Sequence, residues 1–330
     1  MGRSNWTRRR ALVALACAFT VSAAPGIACA QDYPSKPVTL VVPFPPGGPT
    51  DITARTLAAA LSTQLGQQFV VENKPGAGGT LGSGLVARAQ PDGYTLLWGG
   101  TSTLAVAPSL YRSLPYEPLK SFSPVSLAAS GPLLLAGSPA LQANDLREFV
   151  SLAKSARGRL NFASAGTGTS THLTAELLKS QANIDLVHVP YKGGGPALAG
   201  VLGGEVQVIF DTFAILLPHV RSGKLKAFAV TSPNRHPLIP EIPTVAESGF
   251  PGFESTVWFG LVAPAGTPRE IVQRLSAGIR AAAASPALRE AFAKHGLDTI
   301  NSTPEMFAEW IRTETAKWTQ VVRASGARAE

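Results

Sequence analysis

The stretch 38–55, VTLVVPFPPGGPTDITAR, constrains this chain more than any other. Val38, Leu40, Val41 and Val42 form a short apolar run bounded by prolines, which reads as a buried strand. Ala54, Leu57, Ala58, Leu61 and Leu65 then recur at helical spacing, so a helix is expected from about Thr50, with Thr50 as its N-cap. Between them, Gly47 and Gly48 let the backbone turn tightly and approach a ligand without a Cβ in the way. The N–H groups of the helix start can then face an anion. Glycine turns of this kind also occur for geometry alone, so a second loop of the same build is what gives this one meaning.

The pattern recurs. Strands are expected at 68–72, 94–98, 133–136, 160–163, 186–189, 206–210, 225–230 and 257–262, several followed by a glycine-bearing turn and a helix. Strand, glycine loop and helix in alternation imply a parallel α/β sheet with its loops gathered at the carboxyl edge. The partner of the first loop is Ser164-Ala165-Gly166-Thr167-Gly168-Thr169-Ser170, followed by a helix over 171–180. It too offers close backbone approach, hydroxyls and a helix start.

Residues 114–130, LPYEPLKSFSPVSLAAS, carry proline and serine without helical periodicity and are expected to be a connection leaving a first lobe. Asn144 is the expected N-cap of a helix over 145–156. Near the C-terminus, Thr267 with Glu270 reads as a capping box with Pro268 at the first helical position. Ser285-Pro286 and Thr303-Pro304 repeat that start signal. Phe307, Trp310, Ile311, Trp318 and Val321 fall at helical spacing and are expected in the core.

Residues 1–30 have the layout of a signal peptide. Arg3, Arg8, Arg9 and Arg10 precede an apolar run at 11–21, and Ala28-Cys29-Ala30 forms an A-x-A cleavage pattern. Thr7-Arg8-Arg9 leaves a twin-arginine route open beside general secretion. Removing this segment takes Lys plus Arg from 29 to 25 against 21 acidic residues, for a net charge of about +4. Both cysteines, Cys17 and Cys29, leave with it, so an exported protein stabilised by its core rather than by disulfides is expected. No basic run or aromatic-interleaved basic patch survives to suggest nucleic acid.

Enzyme motifs are missing. The sequence contains no G-x-S-x-G, H-E-x-x-H or G-x-x-x-x-G-K-[ST], and His172, His188, His219, His236 and His295 show no metal-ligand spacing. Gly76-Ala77-Gly78-Gly79 lacks the rest of a dinucleotide fingerprint. Ser164 or Ser170 with His172 leaves an exported hydrolase conceivable. No cofactor and no metal are expected.

Neither glycine loop carries Lys or Arg within its turn, so an anion there would depend on backbone N–H groups, hydroxyls, water and helix ends. A helix end contributes roughly 0.3–1 kcal/mol when exposed and up to about 2 when partly buried. Micromolar binding needs about 8 kcal/mol, so closure around the ligand must add hydrogen bonds in a dry cleft. Asp51 either supports its loop or meets the ligand. Thr101 and Ser102, at the end of the 94–98 strand, His172 in the first turn after the second loop, and Asp211 at a strand end carry the same two alternatives.

PFPPGGPTDITAR, NKPGAGG, PDGYTLL, LPYEPLKSFSPV, SAGTGTSTHL, VPYKGGGPAL, LLPHVRSGKLKAFAVTS, IPTVAESGFPGFE and FGLVAPAGTP occur in this order. Together they resemble the Bug (TctC) family, the periplasmic solute receptors of tripartite tricarboxylate transporters. The chain departs from that family's pattern at Thr80 and Ala107, where many relatives carry asparagine. The resemblance implies a type II periplasmic-binding-protein fold, with two α/β lobes, two crossovers and a ligand cleft between them. The lobes would comprise 31–130 with 256–330, and 131–255. It further implies a small carboxylate, an organic acid or amino acid, held by the loops from Phe44, Gly47, Gly48 and Thr50 to Asp51, and from Ser164, Gly166, Thr167, Gly168 and Thr169 to Ser170. Delivery to membrane subunits of the transporter follows, with a monomer expected. A ligand-sensing role with a two-component sensor kinase is the alternative.

Overall fold

The computed structural model describes residues 33–329; the expected signal segment and its two cysteines lie outside the described residues. β1 (Val38–Val42) leads through the first glycine loop into α1 (Pro49–Leu65), followed by β2 (Phe69–Asn73), α2 (Thr80–Ala87) and β3 (Thr95–Gly100). β1 lies between β2 and β3 and runs parallel to both. The chain next forms a π-helical turn (Thr101–Val106) and a short helix (Ala107–Leu110) before β4 (Phe122–Gly137). A second α/β series follows: α3 (Leu146–Ala156), β5 (Asn161–Ser164), α4 (Ser170–Ala182), β6 (Val187–Pro190), α5 (Gly194–Leu202), β7 (Val208–Thr212), α6 (Phe213–Arg221) and β8 (Lys226–Val230). The chain ends in β9 (Thr256–Pro264), α7 (Arg269–Ala284), α8 (Pro286–Ala293), the two-residue β10 (Asp298–Thr299) and α9 (Pro304–Ser325).

Strand order is β2-β1-β3-β9-β4-β7-β5-β6, with β8 and β10 also on β4. β4 joins the two lobes. From Phe122 to Pro132 it pairs with β9, and from Leu133 to Gly137 with β7 and β8. The expected connection over 114–130 is therefore half strand: from Phe122 onward its apolar residues, Val125, Leu127, Ala128 and Ala129, are buried against neighbours on the first sheet. Proline and serine hid this: Pro124, which has no N–H to donate, lies where the β4–β9 register shifts between Pro124 and Ser126.

Where β4 changes partners, the second crossing lies beside it. The Leu133 N–H donates to Thr231 Oγ1 at 2.7 Å, and that hydroxyl donates to the Ser255 carbonyl at 2.6 Å. Ser255 Oγ in turn bonds Thr174 Oγ1 at 2.6 Å. All three hydroxyl residues are fully buried, so this knot ties both crossings to α4 without water.

The helices form for the reasons the sequence indicates, with three changes of cap. α1 buries Ala54, Leu57, Ala58 and Leu61 and ends on Gly66 at φ 73°, a left-handed position. Each fully buried leucine contributes about 1.5–3 kcal/mol. Its N-cap is Gly48, two residues before Thr50, because Pro49 takes the first helical position. Asp145, not Asn144, caps α3 by accepting the Glu148 N–H at 2.8 Å. Thr267 does not cap α7; its hydroxyl donates to the Pro264 carbonyl at 2.7 Å instead. Ser285 and Thr303 do cap α8 and α9.

The C-terminal helices pack on elements from early in the chain, α7 against α1 and β4, α9 against β4 and the π-helical turn. Phe307, Ile311 and Trp318 are buried there, whereas Trp310 is exposed and Val321 half-buried. Buried Glu314 accepts from both the Trp258 and Trp318 indole N–H groups at 3.0 Å, which fixes the C-terminal helix to β9.

Candidate functional site

A cavity of ≈ 380 Å³ opens at the carboxyl ends of β1, β3, β5 and β7. Loops leaving parallel strands collect at that edge, so both lobes supply its wall.

The first loop is held from behind. Gly47 has φ +78° and donates its N–H to Asp51 Oδ2 at 2.9 Å. Asp51 Oδ1 accepts from Asn73 Nδ2 at 2.9 Å, and Arg55 pairs with both carboxylate oxygens at 3.0 Å. Asn73 Nδ2 also donates to the Phe44 carbonyl at 3.0 Å. Burial opposes ionisation of Asp51, but the bonds from Arg55, Gly47 and Asn73 outweigh it and hold the carboxyl below its ordinary range. Asp51 is buried and outside the cavity wall, whereas Phe44, Gly47, Gly48 and Thr50 line it. α1 has no side-chain cap, which leaves the first-turn N–H groups of Thr50 and Asp51 without an intrahelical acceptor.

The second loop divides in the same way. Thr169 and Ser170 line the cavity, joined by Ala165 and Thr171; Ser164, Gly166, Thr167, Gly168 and His172 do not. Ser164 is fully buried with its hydroxyl 2.6 Å from His188 Nε2. Gly168 donates its N–H to His172 Nδ1 at 3.1 Å, so that nitrogen is the bare acceptor and Nε2–H points toward Glu176, 3.8 Å away. His172 stacks on His188 with ring centres 3.9 Å apart. Burial, then the neighbouring His188 and Lys179, push its pKa down to about 3. His172 is a neutral strut under the loop.

Thr101 and Ser102 both line the cavity. Thr101 Oγ1 accepts the Trp258 N–H at 3.0 Å. Ser102 Oγ accepts the Ser170 N–H at 3.1 Å, a bond between the lobes at the mouth of α4. Gly168, at φ +77°, brings the second loop so near the first lobe that a Cβ there would lie 1.9 Å from Leu110 Cδ2. Thr80 and Ala107, the two departures from the family pattern, are buried outside the wall.

A third segment was not assigned to the site from sequence. Lys192, Gly193, Gly194, Gly195 and Pro196 line the cavity where α5 begins, with Asp211 and Thr212 beside them. The signal was present: YKGGGPAL follows a strand and opens a helix, as both other loops do. Gly193 sits at φ +115°, and a Cβ on Gly194 would lie 2.6 Å from Asp211 Oδ2. Asp211 is fully buried; its Oδ1 accepts the Thr212 N–H at 2.7 Å and the Thr212 hydroxyl at 3.3 Å. Burial pushes its pKa up to about 7 against those two bonds. Lys192 is the one cationic side chain of the wall among the described residues. Val257 and Phe259 supply an apolar side, and Trp98 stacks behind Phe259 at 6.2 Å.

Two α/β lobes, two crossings and a cavity ringed by helix starts define a solute-binding protein of the periplasmic type. The chain belongs to the tripartite tricarboxylate transporter receptor (TctC) family, whose model matches residues 53–327. It is similar to the periplasmic binding protein BugD, at 37% identity and a TM-score of 0.85 over 90% of this chain and 100% of that one. It is 34% identical to an R. palustris protein solved with adipate, with a TM-score of 0.87 over 90% of this chain and 99% of that one. MatC from Rhodopseudomonas palustris, solved with bound malate, is 38% identical with a TM-score of 0.83, covering 88% of this chain and 100% of that one.

Proposed function

We propose that this chain is an exported receptor that captures a small carboxylate between its lobes and passes it to the membrane subunits of a tripartite tricarboxylate transporter. One observation carries this reading: three helices, α1, α4 and α5, begin at the wall of a single cavity of ≈ 380 Å³. Helix starts present N–H groups and the positive end of the dipole, which suits an anion. The adipate and malate of the two similar proteins are small dicarboxylates and support the same ligand class. Phe44, Gly48, Thr50, Thr101, Ser102, Thr169 and Ser170 would contact the ligand, with Asp51, Ser164 and His172 behind them.

In this reading the first lobe comprises 31–130 with 256–330 and the second 131–255, the signal segment is removed near Ala30, and the receptor acts as a monomer without catalysis. The buried position of Ser164, turned from the cavity to His188, supports binding over hydrolysis. The test is thermal denaturation of the purified mature protein with a panel of mono- and dicarboxylates, paired with native mass spectrometry of the protein as purified. A cognate ligand at 100 times its Kd raises stability by about 2.7 kcal/mol. No shift with any carboxylate, and no bound anion by mass, would remove the reading. Loss of uptake in a deletion strain separates transport from signalling.

A further inference from the structure

Asp211 stands apart from the other acidic groups near the cavity. Asp51 has every oxygen bonded, whereas Asp211 Oδ2 is buried and has no hydrogen-bond partner. It lies at the cavity wall against the Cα of Gly194, where α5 begins, and Asp211 and Gly194 both line the cavity. An unpaired oxygen in a dry site costs about 1–3 kcal/mol, and more when charged. With a pKa of about 7, Asp211 is partly ionised at neutral pH, and in that form it would repel an anionic ligand group placed against it. A ligand hydroxyl or ammonium would instead give Oδ2 the donor it lacks.

We infer that Asp211 Oδ2 is the acceptor for a hydroxyl or ammonium group on the bound carboxylate, so that the ligand is a hydroxy acid or an amino acid rather than a plain carboxylic acid. This rests on the carboxylate-receptor reading above. The orientation of Asp211 is set by Thr212, whose N–H and hydroxyl both donate to Oδ1 and so turn Oδ2 toward α5. Gly194 is what permits the arrangement, since any Cβ would occupy the space 2.6 Å from Oδ2. Lys192, on the same wall and exposed, leaves Oδ2 unpaired and is available to the ligand's carboxylate end. Burial holds the Asp211 pKa at about 7, and a donated hydrogen bond or ammonium charge would favour the ionised form.

The test is calorimetric titration of the mature chain and its Asp211→Asn variant with matched sets: succinate, malate and aspartate; glutarate, 2-hydroxyglutarate and glutamate; propionate, lactate and alanine. In the variant, Thr212 keeps its acceptor only if the amide nitrogen takes the Oδ2 position, where it donates instead of accepting. The wild type is expected to bind the hydroxy or amino member of one set at least about tenfold tighter than the plain member. The variant should lose most of that preference while keeping its circular dichroism spectrum. Preference for the amino member identifies an ammonium partner, and for the hydroxy member a hydroxyl. Equal binding within the set that binds, or a preference that survives Asp211→Asn, overturns the assignment alone. Binding of none of the nine by the wild type overturns the receptor reading with it.

Discussion

Ser102 Oγ accepts the Ser170 backbone N–H across the cleft at 3.1 Å, joining the π-helical turn of the first lobe to the first residue of α4 in the second. The bond occupies a helix-start N–H that would otherwise face the ligand, so it belongs to closure rather than to capture. Ser102→Ala should weaken carboxylate binding by about 0.5–1.5 kcal/mol, two- to tenfold, with little change in the melting temperature of the unliganded protein. Titration calorimetry reads the first and calorimetric melting the second. A large loss of stability with unchanged affinity would assign the bond to folding.

Asp51 should matter to binding without touching the ligand. Its carboxylate collects Gly47, Asn73 and Arg55, and Asn73 in turn holds the Phe44 carbonyl. Asp51→Ala leaves the Gly47 N–H unpaired and frees the loop, so about 1–3 kcal/mol of stability and most of the affinity should go together. Urea denaturation and ligand titration on the same variant check this.

Two glycines of the two loops should behave differently. Gly48 has an ordinary φ of −81°, and a Cβ there would meet only the Pro45 carbonyl at 3.7 Å, so Gly48→Ala should leave the melting temperature unchanged. Gly168 combines φ +77° with a 1.9 Å approach to Leu110 Cδ2. Gly168→Ala strains the loop and pushes it from the first lobe, which should lower affinity at least about tenfold. Adding Leu110→Ala should recover part of the loss by removing the clash while leaving the backbone strain.

Stability should fall as pH drops from about 6.5 toward 4. Burial, with neighbouring positive charge, pushes His172 down to about 3 and His188 to about 4, while both titrate near 6.5 when unfolded. In that window the unfolded chain binds more protons, so acid favours it. Asp211 has the opposite sign: raised by burial to about 7, it is protonated in the folded state where the unfolded chain has already ionised, so its contribution declines as pH rises from about 4 to 7. Two histidines outweigh one aspartate. Asp211→Asn should steepen the rise of melting temperature between pH 4 and 7, and a flatter profile would contradict these assignments.

The sequence carried the α/β alternation and both glycine loops because apolar runs and glycines are local signals. What it could not carry was which face of a loop looks inward. Asp51 and His172 have the residue types of ligand contacts, yet both are consumed by backbone N–H groups of their own loops, Gly47 and Gly168. The strand from Phe122 was hidden by Pro124, which lies where β4 carries an extra residue, Val125, against β9. Gly193-Gly194-Gly195 was legible as a third loop, but its importance depends on β7 bringing Asp211 beneath it, a contact 17 residues away in sequence that no local pattern encodes.

A crystal structure of the protein soaked with its tightest-binding carboxylate tests the central claim most directly. A carboxylate within hydrogen-bond distance of the Thr50 N–H and of the α5 start, under a closed Ser102–Ser170 bond, is the predicted result. An anion bound outside this cavity, or a cavity filled only by water at saturating ligand, would contradict it.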